Sequence, residues 1–281
     1  MKKSIFPILF FLFATSSAWS QTGGYKVYAI RFASVAHPMP ISDWADKGPK
    51  TDSVDINFMV WLISGKGRNI LVDAGFLKDA RGAKEFAVTN YTRPDSALLK
   101  VALKAEDITD IILSHPHWDH IDGISLFPNA HIWMQKEDFN YYVGAAWQKG
   151  GDNGGFDKRD VRMLIDLNLA GRLTLVDGDD KEIAPGIKVY TGSKHTFNSE
   201  YVVVETGANK VLLASDNIWI YYILEHLTPP SEGGTLDPAG YVRSMKRMKT
   251  LVSDVRYIIP GHDSKIFSMF PRVADGVVRI E

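Results

Sequence analysis

Short apolar runs bounded by Gly, Pro, Asn and Asp recur along the chain and predict β-strands joined by turns. Tyr25 to Phe32 and Asp55 to Ser64 carry β-branched and aromatic residues in such runs, and Gly65-Lys66-Gly67 turns the chain into a further strand, Asn69 to Asp73. Ile108 to Leu113 reads as a buried strand, and His131 to Trp133, Ile187 to Thr191, Tyr201 to Glu205, Lys210 to Ala214 and Arg256 to Pro260 repeat the pattern, with Gly207-Ala208-Asn209 as a turn. Helical spacing appears in two places. Pro94-Asp95 opens a helix over Asp95 to Lys104 that buries Leu98, Leu99, Val101, Ala102 and Leu103. Asp237 caps a second helix with Pro238 in its first turn and a stripe of Tyr241, Val242, Met245, Met248, Leu251 and Val252. Strands followed by helices, twice over, predict a mixed α/β domain.

Two stretches fit neither period. Ala33 to Asp52 is loop-like, and its apolar tips Met39, Ile41 and Trp44 suit either a pocket rim or a loop packed on its own side chains. Asp138 to Asp166 reads as a long insertion with Tyr141, Tyr142, Trp147 and Phe156 around a Gly-rich middle, Gly150 to Gly155, either a substrate lid or packing.

The first residues stand apart. Lys2 and Lys3 precede an apolar centre, Ile5 to Ala14, and Ala18-Trp19-Ser20 offers a small-x-small cleavage site. This order of zones predicts a secretory signal peptide over residues 1–20, a domain over 21–281, and a periplasmic or secreted product. The apolar stretch is too short to remain as a membrane anchor. A formal net charge of -1 with no basic cluster argues against nucleic acid as a partner. With no cysteine in the chain, any metal must be held by nitrogen and oxygen alone.

Chemistry concentrates in Ser114 to Gly123, Ser-His-Pro-His-Trp-Asp-His-Ile-Asp-Gly. Pro116 keeps the chain extended, so His115 and His117 can converge on one ion from the end of the strand. Asp119 and His120 add a second set of donors. Three imidazoles and a carboxylate suit a borderline cation such as zinc, and one loop cannot complete two shells. His37, His131 and His226 lack such partners and read as structural or solvent-facing.

His-x-His-x-Asp-His after a strand resembles the metallo-β-lactamase superfamily. The resemblance extends to His195 in Gly-Ser-Lys-His-Thr, Asp216 in Leu-Leu-Ala-Ser-Asp-Asn and His262 in Ile-Ile-Pro-Gly-His-Asp. It implies a four-layer αβ/βα sandwich holding two divalent ions, with zinc expected and cobalt, manganese or iron accepted by the same donors. His115, His117 and His195 would bind the first ion, Asp119, His120 and His262 the second, and Asp216 both. The family's early aspartate corresponds to Asp73 in Leu-Val-Asp-Ala-Gly, expected to orient a ligand, although an aspartate that merely opens the turn before Gly75 fits the same residues.

Within the superfamily, the chain is similar to the N-acyl-homoserine lactonases. Asn57 to Ile63 leading to Ile70-Leu71-Val72-Asp73-Ala74-Gly75, the Ser-Asp-Asn and the closing Pro-Gly-His-Asp carry this likeness. It implies opening of an acyl-homoserine lactone ring by a hydroxide shared between the ions, with Asp119 passing a proton to the leaving oxygen. The alternative is a broader esterase, thioesterase or β-lactam hydrolase of the same fold. Several members carry a tyrosine three residues after the bridging aspartate, where this chain has Trp219, so Trp219, Tyr221 and Tyr222 are the candidates for substrate contact. Nothing in the sequence sets the oligomeric state, a homodimer included.

Overall fold

The structure is a computed structural model that describes residues 24–281; the expected signal peptide lies outside the described residues. A nine-stranded mixed sheet runs in the order Arg272–Ala274, Val277–Arg279, Lys26–Val35, Asn57–Gly65, Arg68–Val72, Asp110–Leu113, His131–Gln135 and Leu173–Val176, with Val88–Thr89 added beside Lys26–Val35. A five-stranded sheet follows the order Lys181–Ala184, Ile187–Thr191, Glu200–Glu205, Lys210–Ser215 and Ile258–Pro260. The strands that lead into the chemistry pair in parallel: Arg68–Val72 with Asp110–Leu113 in the first sheet, Lys210–Ser215 with Ile258–Pro260 in the second.

Strand periodicity explains how the sheets stack. Along Asn57–Gly65, Met59, Trp61 and Ile63 enter one hydrophobic cluster while Phe58, Val60 and Leu62 enter another on the opposite face. A strand covered on both faces reads as an unbroken apolar run, which is what Phe58 to Ile63 shows. The first cluster joins the two sheets through Ile70, Val72 and Ile112 on one side and Val189, Val202 and Leu213 on the other, and Tyr241, Met245 and Met248 of the helix Pro238–Leu251 add to it. The second cluster packs helices on the outer face of the large sheet, with Leu98, Tyr142 and Leu164 buried there. The result is the αβ/βα sandwich of the metallo-β-lactamase fold.

Three expectations need correction. The helix over Asp95 to Lys104 is only a short helix, Pro94–Ala97, followed by a 3-10 turn, Leu98–Val101. Ala102 then adopts a left-handed φ of 59°, which ends the turn and leaves Leu99 62 % exposed. The insertion over Asp138 to Asp166 is largely helical, as Lys136–Val143 and Lys158–Leu169, the latter capped by Asp157 accepting from the Arg159 amide. Its Tyr142 and Phe156 are buried in the outer core, so of the two readings of these rings, packing holds. Finally, Arg256 and Tyr257 belong to a 3-10 turn, and only Ile258–Pro260 is strand.

Candidate metal centre

Every candidate ligand leaves the C-terminal end of a strand or the turn after it. From the large sheet, Asp110–Leu113 runs into His115 and His117, and His117 caps the single-turn helix Trp118–Ile121 that carries Asp119 and His120. From the small sheet, Ile187–Thr191 leads to His195, Lys210–Ser215 to Asp216 and Ile258–Pro260 to His262. The structure gathers all seven where the sheets meet. His115, His117, His195 and Asp216 form one group and Asp119, His120 and His262 another, each with its donor atoms within 4.8 Å of one another.

Asp216 stands between the groups. Its Oδ2 lies 3.3 Å from His195 Nε2 and 3.8 Å from His115 Nε2, while Oδ1 lies 3.0 Å from His262 Nε2 and 3.5 Å from His120 Nε2. Gly261 makes room for it, because a Cβ there would sit 2.4 Å from Oδ1. That contact accounts for the glycine in Pro260-Gly261-His262.

In four of the five histidines the ring nitrogen that points away from the centre is held by oxygen. His195 Nδ1 meets Gly234 O at 2.8 Å, His262 Nδ1 meets Asn57 O at 3.1 Å, and His115 Nδ1 meets Ser114 Oγ at 2.9 Å. His120 Nδ1 meets Asp73 Oδ2 at 2.8 Å. Such partners fix the tautomer and turn Nε2 with its lone pair inward. Asp73, fully buried at a left-handed φ of 62°, also accepts from the Ser114 amide at 2.8 Å and from the Ser114 and Ser215 hydroxyls, each at 2.9 Å. It therefore ties both ligand-bearing strand ends to His120.

Burial and charge divide the rings. Burial, reinforced by neighbouring imidazoles, holds His115 well below its ordinary pKa and His117 at about 3, so both stay neutral. Burial acts the same way on His120 and His262, but the adjacent carboxylates outweigh it, Asp119 foremost for His120 and Asp216 for His262, and raise both rings. Asp216 is held well below the carboxylate range because His262 and His120 outweigh its burial. Two permanent carboxylates face a set of nitrogen donors. His115 Nε2, His120 Nε2 and Asp216 Oδ1 are buried without a hydrogen-bond partner, a cost that a cation relieves. The residues therefore fit divalent ions bound through nitrogen and oxygen.

The centre lies at the floor of a cleft of about 640 Å³ whose walls include Met39, Trp44, Phe58, Phe86, Trp118, Trp219 and Leu236. Met39 and Trp44 make the segment Ala33 to Asp52 a rim of this cleft, and Asp152, Gly154 and Gly155 contribute from the Gly-rich connection. Among the three substrate-contact candidates, Trp219 lines the cleft. Tyr221 does not: its amide is held by Asp263 Oδ2 and its ring is buried in the core with the hydroxyl unpartnered. Tyr222 stacks on His226, ring centroids 3.8 Å apart, also outside the cleft. His131 pairs with Thr174 and takes no part in the centre.

Phe58, Phe86, Trp118 and Leu236 escaped the sequence reading because they lie in separate segments that only the fold brings together. Asn217 escaped it too. Its Oδ1 accepts from the Ser193 amide and from the Ser193 and Ser199 hydroxyls, binding the His195 loop to the strand end that bears Asp216. Its position directly after Asp216 was the available signal.

A two-sheet sandwich with paired His and Asp clusters at the sheet ends defines a class of metal-dependent hydrolase folds. The chain belongs to the metallo-β-lactamase superfamily, a hydrolase family whose model matches residues 59–262. It is 26% identical over 223 residues to an N-acyl homoserine lactonase of Bacillus cereus, covering 74% of this chain and 82% of that one. Among solved structures, an N-acyl homoserine lactone hydrolase with its product N-hexanoyl-L-homoserine at the catalytic metal centre superposes with a TM-score of 0.69 at 22% identity, over 89% of this chain and 97% of that one. The dizinc quorum-quenching lactonase AidC, in complex with the same product, gives 0.62 at 20% identity, over 85% and 88%. At these identities the structural likeness speaks for the fold.

Proposed function

We propose that the protein is a dinuclear-metal hydrolase, with zinc as the bound ion, that opens the lactone ring of N-acyl-homoserine lactones. The observation that carries this reading is the seven-residue His and Asp cluster at the floor of an aromatic cleft that, among the described residues, no Lys or Arg lines. The relatives named as lactonases support it.

The cleft separates this reading from its alternatives. Apart from the cluster, the charged residues lining it are Asp43 and Asp152, both exposed and without a Lys or Arg partner within salt-bridge distance. An acyl lactone is uncharged and gains from burial against Trp44, Phe86 and Trp118. A penicillin or an acidic thioester brings a carboxylate that meets no Lys or Arg among the described residues lining the cleft.

His115, His117 and His195 would hold one ion, Asp119, His120 and His262 the other, and Asp216 would face both. Such a pair, when bound, supplies an activated water at neutral pH and Lewis acidity toward a carbonyl oxygen. The aromatic walls hold the acyl chain and exclude bulk water from the reacting carbonyl. Water oxygen adds to the lactone carbonyl carbon and the ring C–O bond breaks; Asp119 carries one of the water's protons to the departing alkoxide and the other is released to solvent, leaving a hydroxyl and a carboxylate.

Proton release by the purified, zinc-loaded protein on adding N-decanoyl-homoserine lactone tests this, with a chelated sample as control. The expected result is metal-dependent acid production at a kcat/KM at least about 100-fold above that for a penicillin or a glutathione thioester, the order by which an apolar pocket rejects a substrate carrying an added polar group. Faster turnover of either anionic compound would overturn the assignment.

A further inference from the structure

We infer that Trp219 is a positioning residue of the metal centre, setting the orientation of Asp216 and, with Gly234, that of His195. The inference rests on the reading of the cluster as a metal site.

Three observations converge on the indole. Its Nε1 donates to Asp216 Oδ2 at 3.0 Å, the oxygen that faces His115 and His195. A carboxylate oxygen has a second lone pair, so this bond leaves Oδ2 able to face an ion, while Oδ1, 3.0 Å from His262 Nε2, is buried and makes no hydrogen bond. The bond therefore fixes the rotation of the carboxylate about its own axis, and with it which oxygen serves which group. Second, the indole packs edge-on to His195, with ring centroids 5.6 Å apart at 81°.

Third, Gly234 couples the two contacts. Its carbonyl accepts from His195 Nδ1 at 2.8 Å, and a Cβ on it would sit 2.4 Å from Trp219 Cη2. The indole thus fills the space that Gly234 leaves and presses on the peptide that orients His195. Trp44 supports it from the far side, ring centroids 5.4 Å apart. An indole N–H donates one hydrogen bond and cannot release its proton at working pH, so this contact holds a geometry and carries no proton.

The test is metal affinity, read by competition with a chromophoric chelator as zinc is returned to the demetallated full-length protein. Trp219→Phe keeps the ring and deletes the donor. The expected result is an unchanged zinc stoichiometry with about 10-fold weaker binding of at least one ion, the usual effect of losing a partner that orients a ligand. Gly234→Ala, which displaces the indole without deleting its N–H, should weaken binding in the same way. In an Asp216→Ala background, which removes the acceptor, Trp219→Phe should cost little further, because the two act through one contact. Equal zinc affinity in wild type and Trp219→Phe would overturn the inference, as would an equal loss with Asp216 and with Ala at position 216. Failure of the wild type to bind zinc would instead remove the metal-site reading beneath it.

Discussion

Asp73 and His120 share a buried contact of 2.8 Å between Oδ2 and Nδ1, although 47 residues separate them. The same carboxylate takes the Ser114 amide and lies within reach of the Ser114 and Ser215 hydroxyls. Replacing it by alanine strands several buried donors at once, each costing about 1–3 kcal/mol. Asp73→Ala is expected to lower the melting temperature and to weaken zinc binding by about 10–100-fold. Calorimetry with a chelator competition checks both; native zinc affinity would show that Asp73 only shapes its turn.

Asp119 serves both the second donor group and the proton path. Its Oδ2 is 3.3 Å from His120 Nε2 and 3.6 Å from His262 Nε2, and it lines the cleft. Asp119→Ala should cut kcat for lactone opening by about 10²–10⁴, the range for loss of a proton-transferring group. Wild-type turnover by this variant would sink the mechanism.

Metal removal should be visible as stability. An ion that binds only the folded chain contributes about 2.7 kcal/mol at a free concentration 100 times its Kd. At about 2–4 °C per kcal/mol for a domain of this size, chelation should lower the melting temperature by about 5–10 °C for each ion lost. A scanning calorimeter trace unmoved by chelator would contradict this.

Asp160 gives a pH signature away from the centre. Burial, then the neighbouring Asp122, raises its carboxyl to about 9, and its Oδ2 has no partner. An unfolded aspartate ionises near pH 4, so between about pH 4 and 9 the folded chain holds the extra proton and loses stability as pH rises, by at most about 1.4 kcal/mol per unit. Asp160→Asn mimics the protonated side chain. Its stability should fall less than that of the wild type between pH 5 and pH 8 in urea titrations; identical slopes would refute the assignment.

Export is proposed from the order of basic, apolar and small residues over positions 1–20. Expression in a secreting bacterium should yield a mature chain beginning at Gln21, by intact mass. A full-length cytosolic product would oppose it.

Much of the layout was legible because local and global patterns agree. The unbroken apolar run from Phe58 to Ile63 and the short runs before His115, Asp216 and His262 read as strands and are strands. The histidines and aspartates were legible because the motifs that bear them stand at strand ends. Cleft walls were not: Phe58, Phe86, Trp118 and Leu236 come from four distant segments and meet only once the chain has folded. Tyr221 and Tyr222 misled through closeness to Asp216, since a helix starts at Tyr221 and carries both away from the cleft. Ala102 hid the early end of its helix, because a left-handed alanine leaves no trace in composition.

The division of the seven side chains between two sheets gives the centre a further property. The large sheet presents four of them on one short loop, and the small sheet presents three from separate strand ends. Neither half alone holds a full complement for either group, and Asp216 belongs to the half that lacks the His-x-His-x-Asp-His loop. Assembly of the centre therefore reports that both halves have docked in register. Ions captured there act as rivets across the seam, so resistance to proteases at the junction should rise and fall with occupancy.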